Sequence, residues 1–265
     1  MPKGSITSYI DVAQVTLYLF WFFFVGLVYY LLRENKREGY PLESDRSGRV
    51  TVQGFPAIPP AKTYLLPHGG TQTAPRAESD TRKLAAEPIA PWPGAPLVPT
   101  GDPMRDGVGP AAWTERADVP DLAVDGRDRI VPLRVATDFH LDPRDPDPRG
   151  MTVIGGDGLI GGKVTDVWVD RSESLIRYLE VALPSVTAAN SEAAAIRTVL
   201  LPMTFSRVDG GRERVMVRSI LADQFTGVPM LRNGTQVTRR EEDRICGYYG
   251  GGTLYATPAR AEPML

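Results

Sequence analysis

Twenty-one consecutive residues without a charge, Val12 to Leu32 (VAQVTLYLFWFFFVGLVYYLL), constrain this chain more than any other feature. As a helix they rise about 31 Å, the thickness of a bilayer's hydrocarbon core. Asp11 and Arg33 bracket the run, and its strongly polar members, Gln14 and Thr16, lie near its start. Tyr9 at one border and Tyr29 with Tyr30 at the other suit interfacial aromatic belts. A cleaved signal peptide would have a more basic start, a shorter apolar stretch and small residues at its end; here bulky Tyr-Tyr-Leu-Leu closes the run. Arg33, Lys36 and Arg37 follow the span and only Lys3 precedes it. The positive-inside rule therefore predicts a short N-terminus over residues 1–11 outside, a transmembrane helix over 12–32 and a cytoplasmic remainder. Gly26 is the sole glycine of the run, so a GxxxG dimer motif is absent.

The remainder divides by composition. Of 24 prolines, 18 fall between residues 41 and 148, too many for long regular elements. A disordered linker is one reading. Phe55, Tyr64, Trp92 and Trp113 favour another, an ordered strap over 33–148 that has no core of its own and is held by partner subunits. The run Asp142 to Gly150 (DPRDPDPRG) lacks the glycine and terminal glutamate of an EF-hand and reads as a linker. From residue 149 onward strand patterns take over, at 163–170, 176–183, 197–203 and 214–221, separated by turns. These predict a small antiparallel β-barrel or sandwich. Thr238 followed by Glu241 forms a capping box that opens a short helix, with Gly250–Gly252 expected to stop it.

Several chemistries are excluded or weakened. A net charge of −2 gives no basic field for nucleic acid. One cysteine, Cys246, rules out an intrachain disulfide, and His68 and His140 are too far apart for a helix-borne metal pair. Gly156–Gly161 spells GxGxxG, but a β pattern rather than a helix follows, so it reads as a turn. Asn233-Gly-Thr235 reads as a turn as well. No nucleophile–base set stands out, which argues against an enzyme. Asp166, Asp170, Glu173, Arg177 and Glu180 gather around one strand and turn. They form either an ordinary solvated face or a set of carboxylates able to exchange protons.

Longer strings carry a resemblance. Arg37–Glu43 (REGYPLE), Lys62–Gly69 (KTYLLPHG), Pro99–Trp113 (PTGDPMRDGVGPAAW), Asp166–Asp170 (DVWVD) and Glu241–Pro258 (EEDRICGYYGGGTLYATP) resemble the H subunit of the purple-bacterial photosynthetic reaction centre. The resemblance implies one transmembrane helix plus a mainly β cytoplasmic domain with a PRC-type barrel and a C-terminal helix, in the bacterial inner photosynthetic membrane. It implies no directly bound cofactor: bacteriochlorophyll, bacteriopheophytin, quinones and non-haem iron belong to the L and M partner subunits. A cytochrome subunit, a light-harvesting antenna and membrane lipids are further partners it allows. The implied role is to cap L and M, shield the quinones and help deliver protons to the secondary quinone. By position it assigns Asp170 and Glu173 to the proton route, with Arg177 and Arg129 as electrostatic tuners. The family's surface histidines at the proton entrance are missing from Val124–Arg129, which leaves Asp125 and Asp128 as the candidates there. A membrane-anchored binding module or assembly factor is the competing function, and an anchored hydrolase comes third.

Overall fold

The computed structural model describes residues 4, 6–7, 9–40, 42, 54–74, 81–92, 94–184 and 197–261; Lys3 and the tail beyond Ala261 lie outside them. Two compact units emerge, residues 1–81 and 82–265.

In the first unit, helix α1 (Val12–Glu34) starts where the Asp11 carboxylate accepts the Gln14 amide at 2.8 Å. None of its residues is buried, although nearly all are apolar. A helix apolar on every side and uncovered by its own chain is built for lipid or for other helices, and this one is long and apolar enough to cross a membrane. A 3-10 turn (Asn35–Arg37) follows, and its bases serve the backbone: Lys36 donates to the Pro56 carbonyl, and Arg37 to those of Pro60 and Ala74. Strands β1 (Lys62–Leu65) and β2 (Thr71–Ala74) form an antiparallel hairpin. Gly69 and Gly70 close it at φ +89° and +83°, a backbone that side-chain-bearing residues rarely adopt.

The second unit begins with a small hairpin, β3 (Ala86–Pro88) and β4 (Leu97–Pro99), and a short helix, α2 (Pro103–Asp106), capped by Asp102. The main sheet contains β5 (Ile130–Pro132), β6 (Thr152–Ile154), β7 (Ile160–Asp170), β8 (Leu175–Ala182), β9 (Thr198–Pro202), β10 (Ser206–Asp209) and β11 (Arg214–Val217). Its order is β10-β11-β6-β7-β8-β9. Strand β7 is long enough to seat two partners end to end, β6 along Ile160–Lys163 and β5 along Trp168–Asp170, while β8 lies on its other edge. Helix α3 (Arg239–Tyr255) completes the domain, and its capping box at Thr238 and Glu241 is formed. Val153, Val167, Leu179, Leu201, Phe225 and Tyr249 are fully enclosed at the centre of the core.

Four expectations need correction. The strap was to lack a core as far as residue 148, yet Met104, Val108, Ala111, Ile130, Val131, Leu133 and Ala136 are buried, and the second unit starts at Arg82. Prolines prevent long elements there, but not burial of short ones. The sheet is not wholly antiparallel, because β11 pairs parallel with β6, from which 59 residues of chain separate it (Ile154 to Arg214). The fourth strand stops at Val217. Finally, α3 runs straight through Gly250–Gly252 to Tyr255. Those glycines serve close approach: a Cβ on Gly251 would stand 2.6 Å from Ala111 Cβ, and one on Gly250 2.8 Å from the Pro110 carbonyl.

Candidate functional site

Strand β7 ends at Asp170, where the chain turns into β8. The Asp170 carboxylate accepts the amides of Ser172 at 2.9 Å and Glu173 at 3.1 Å, so it organises the turn as aspartate commonly does. Its side chain is entirely buried. Arg129, delivered by the residue just before β5, lays its Nε against both Asp170 oxygens at 3.0 Å. The same guanidinium reaches Glu173 Oε1 at 2.5 Å and Asp121 Oδ2 at 3.3 Å. Arg177, on β8, places Nε 3.2 Å from Asp170 and Nη2 3.5 Å from Glu173. Two guanidinium groups therefore hold three carboxylates. Burial pushes the Asp170 carboxyl up, but the Arg129 hydrogen bond, the two turn amides and the nearby positive charge outweigh it, so it lies below its ordinary value. The Arg129 guanidinium is held correspondingly more firmly protonated.

The structure thus brings together Asp170, Glu173, Arg177 and Arg129. Asp125, exposed, and Asp128, half-buried, lie on the loop that leads into Arg129. The Asp125 carboxylate is occupied within that loop, accepting the Arg127 amide at 3.0 Å and pairing with its guanidinium at 2.6 Å. Those bonds hold it below the usual carboxylate range. The Asp128 carbonyl accepts from Arg171 at 3.1 Å. Asp166 and Glu180 belong to a separate centre at the other end of β5. There Arg134 Nη1 stands 2.8 Å from each carboxylate, and Trp168 Nε1 donates to Glu180 at 3.0 Å. One arginine before β5 and one after it thereby staple that short strand to β7.

Sequence reasoning missed two participants. Asp121 is the third carboxylate on Arg129. Glu242, on α3, accepts the Tyr178 hydroxyl at 2.8 Å. Burial pushes its carboxyl up, and the Tyr178 bond and the charges of Arg177 and Arg129 only partly offset this. Burial likewise raises the neighbouring Tyr178 and Cys246. Glu242 gave a weak signal because it lies 64 positions from Tyr178, and Asp121 because its partner Arg129 stands 41 positions from Asp170.

Residues 4–135 match the protein family described as photosynthetic reaction centre, H-chain N-terminal region, and residues 144–224 match the PRC-barrel domain. The two matches follow one another in order and together take in most of the chain. The chain belongs to the photosynthetic reaction-centre H-chain family. It is a photosynthetic reaction-centre subunit. In this H chain the charged centre joins the two matched regions: Asp121 and Arg129 come from the first, and Asp170, Glu173 and Arg177 from the second. Glu242 lies beyond both.

Proposed function

We propose that this H chain caps the L and M subunits, shields the quinone region and passes protons toward the secondary quinone, without enzymatic activity of its own. Pigments, quinones and iron would reside in those partners. Helix α1 would anchor it in the inner photosynthetic membrane, N-terminus periplasmic and the remainder cytoplasmic. The observation that carries the proton role is the bridge of carboxylates across Arg129. Glu173, 47% exposed, meets solvent, while Asp170, 0% exposed, does not, and one guanidinium bonds both. Proton transfer through protein needs titratable steps within hydrogen-bond reach, directly or through water. Glu173 is the step that accepts and releases the proton. Asp170, held below its ordinary value, stays ionised and fixes the field around it. The guanidinium groups of Arg129 and Arg177 tune that field. Asp125 and Asp128, on the loop next to Arg129, collect protons from the cytoplasm.

The test is Glu173→Gln in the assembled complex, which keeps the shape and removes the titration. Proton-coupled transfer of the second electron to the quinone should slow by roughly ten-fold to a hundred-fold, with the first electron transfer much less affected. Second-electron kinetics that match the wild type across the pH range would sink the assignment.

A further inference from the structure

A cleft of about 420 Å³ opens beside α3, and three arginines line it: Arg105 in α2, Arg197 just before β9, and Arg244 on α3. Trp113, Met104 and Met230 provide apolar wall. Among the described residues no carboxylate lines it. The nearest acid partner is Asp102, whose Oδ2 lies 3.3 Å from Arg105 Nε. Arg197 spends one donor on the Thr226 carbonyl at 2.7 Å. Arg244 has its guanidinium 5.3 Å from the Trp113 ring centre, on a ring that Arg82 also covers at 3.9 Å. Neither Arg197 nor Arg244 has a carboxylate within ion-pair distance among the described residues.

The ion-paired arginines elsewhere in the domain are arranged differently. Arg129, Arg134, Arg144, Arg149 and Arg214 each face at least one carboxylate at 3.3 Å or less. Three guanidinium groups that line one cleft with a single carboxylate near them repel one another, and an anion placed among them removes that cost. Their planar forks match the oxygens of a phosphate better than those of a single-point acceptor. The cleft exceeds the size of a bare phosphate, and its apolar wall suits a carbon attachment. Two guanidinium groups already lie within 5.3 Å of the Trp113 ring centre, which argues against an aromatic base stacked there.

We propose that this cleft binds an organic phosphate, either a free phosphate ester or the head group of an anionic phospholipid, through Arg197 and Arg244 with Arg105 assisting. The site is independent of the proton-transfer reading and stands or falls without it. The experiment is calorimetric titration of the full-length chain in non-ionic detergent at low salt, with two soluble probes. Inorganic phosphate stands for the small ester, and glycerophosphoglycerol for the lipid head group. Saturable binding is expected, with affinity reduced at least ten-fold in R197Q and in R244Q and unchanged in R212Q, whose arginine lies elsewhere on the domain. Arg244→Lys, which keeps the charge but not the fork, should fall between wild type and R244Q. Tighter binding of glycerophosphoglycerol identifies a lipid head group, tighter binding of phosphate a small ester, and each upholds the site. No saturable binding of either probe would overturn it, as would an R197Q/R244Q double variant that folds and binds as the wild type does.

Discussion

At the residue scale, Asp170 concentrates more interactions than any other carboxylate among the described residues. It is fully buried, caps its own turn through two amides, and neutralises two guanidinium groups. Asp170→Asn keeps the size but leaves Arg129 and Arg177 facing each other over a neutral amide. Breaking a buried charge pair in this way should cost about 3 kcal/mol, read as a lowered denaturant midpoint of the full-length chain in detergent. The same carboxylate shapes the acid limb of stability. Its folded pKa lies below the unfolded one, so its contribution is complete above the unfolded value and is lost as pH falls through the folded value. Asp170→Asn should flatten that limb. Glu242 works in the opposite sense. Burial raises its pKa, so the folded state holds the proton longer and stability declines as pH rises from the unfolded value through the folded one. Glu242→Gln should retain the Tyr178 bond, remove that decline and make the protein more stable than wild type near neutral pH. Thermal midpoints measured against pH check both. How much of this centre the sequence disclosed follows from chain separation. Asp170, Glu173 and Arg177 lie on one turn and were visible together. Arg129 entered through family resemblance, and Asp121 and Glu242 were hidden because only the folded sheet brings them in.

At the element scale, α3 shows what local rules can and cannot read. Its start was legible, because Thr238 and Glu241 satisfy each other's amides wherever the helix sits. Its end was not. A glycine run within a helix lowers helix propensity, and that effect alone predicts a stop near Gly250. Packing overrides it. Gly247 and Gly251 allow α3 to lie directly on the turn Gly109–Ala111, where added Cβ atoms would stand 2.7 Å from the Ala111 carbonyl and 2.6 Å from its Cβ. The same contact covers one part of the proline-rich stretch: Ala111 is almost completely buried. Gly251→Ala should therefore destabilise. The helix gains about 1 kcal/mol in propensity, but overpacking costs about 1–3 kcal/mol. The expected net loss is about 1 kcal/mol, measurable by chemical denaturation. A gain in stability would mean that α3 stands further from the turn than described. Strand β5 followed the same logic as α3. Three residues, Ile130–Pro132, are too few to show a β period, and the arginines that staple them to β7 pair with acids 32 and 41 positions away.

At the scale of the whole molecule, the decisive fact is one uncovered apolar helix joined to a charged, mainly β remainder. This much was readable at once, because a charge-free run of bilayer length has few alternatives. The direction of insertion rests on the bases after the helix. Lys36 and Arg37 donate to backbone carbonyls of the following segment, so they organise the chain there as well as biasing its topology. Two exposed positions report that direction. Tyr9 precedes α1 and is 89% exposed, and Val124, in the loop before Arg129, is 99% exposed. With the native thiol removed by Cys246→Ser, the Tyr9→Cys and Val124→Cys variants can be treated with a membrane-impermeant maleimide in sealed vesicles whose outer surface is the cytoplasmic one. The Val124→Cys variant should label in intact vesicles, and the Tyr9→Cys variant only after detergent opens them. The reverse pattern would put the charged centre on the periplasmic side. Protons for the quinone could not then be collected from the cytoplasm through Asp125, Asp128 and Glu173, and the proposed route would fail whatever the Glu173→Gln kinetics.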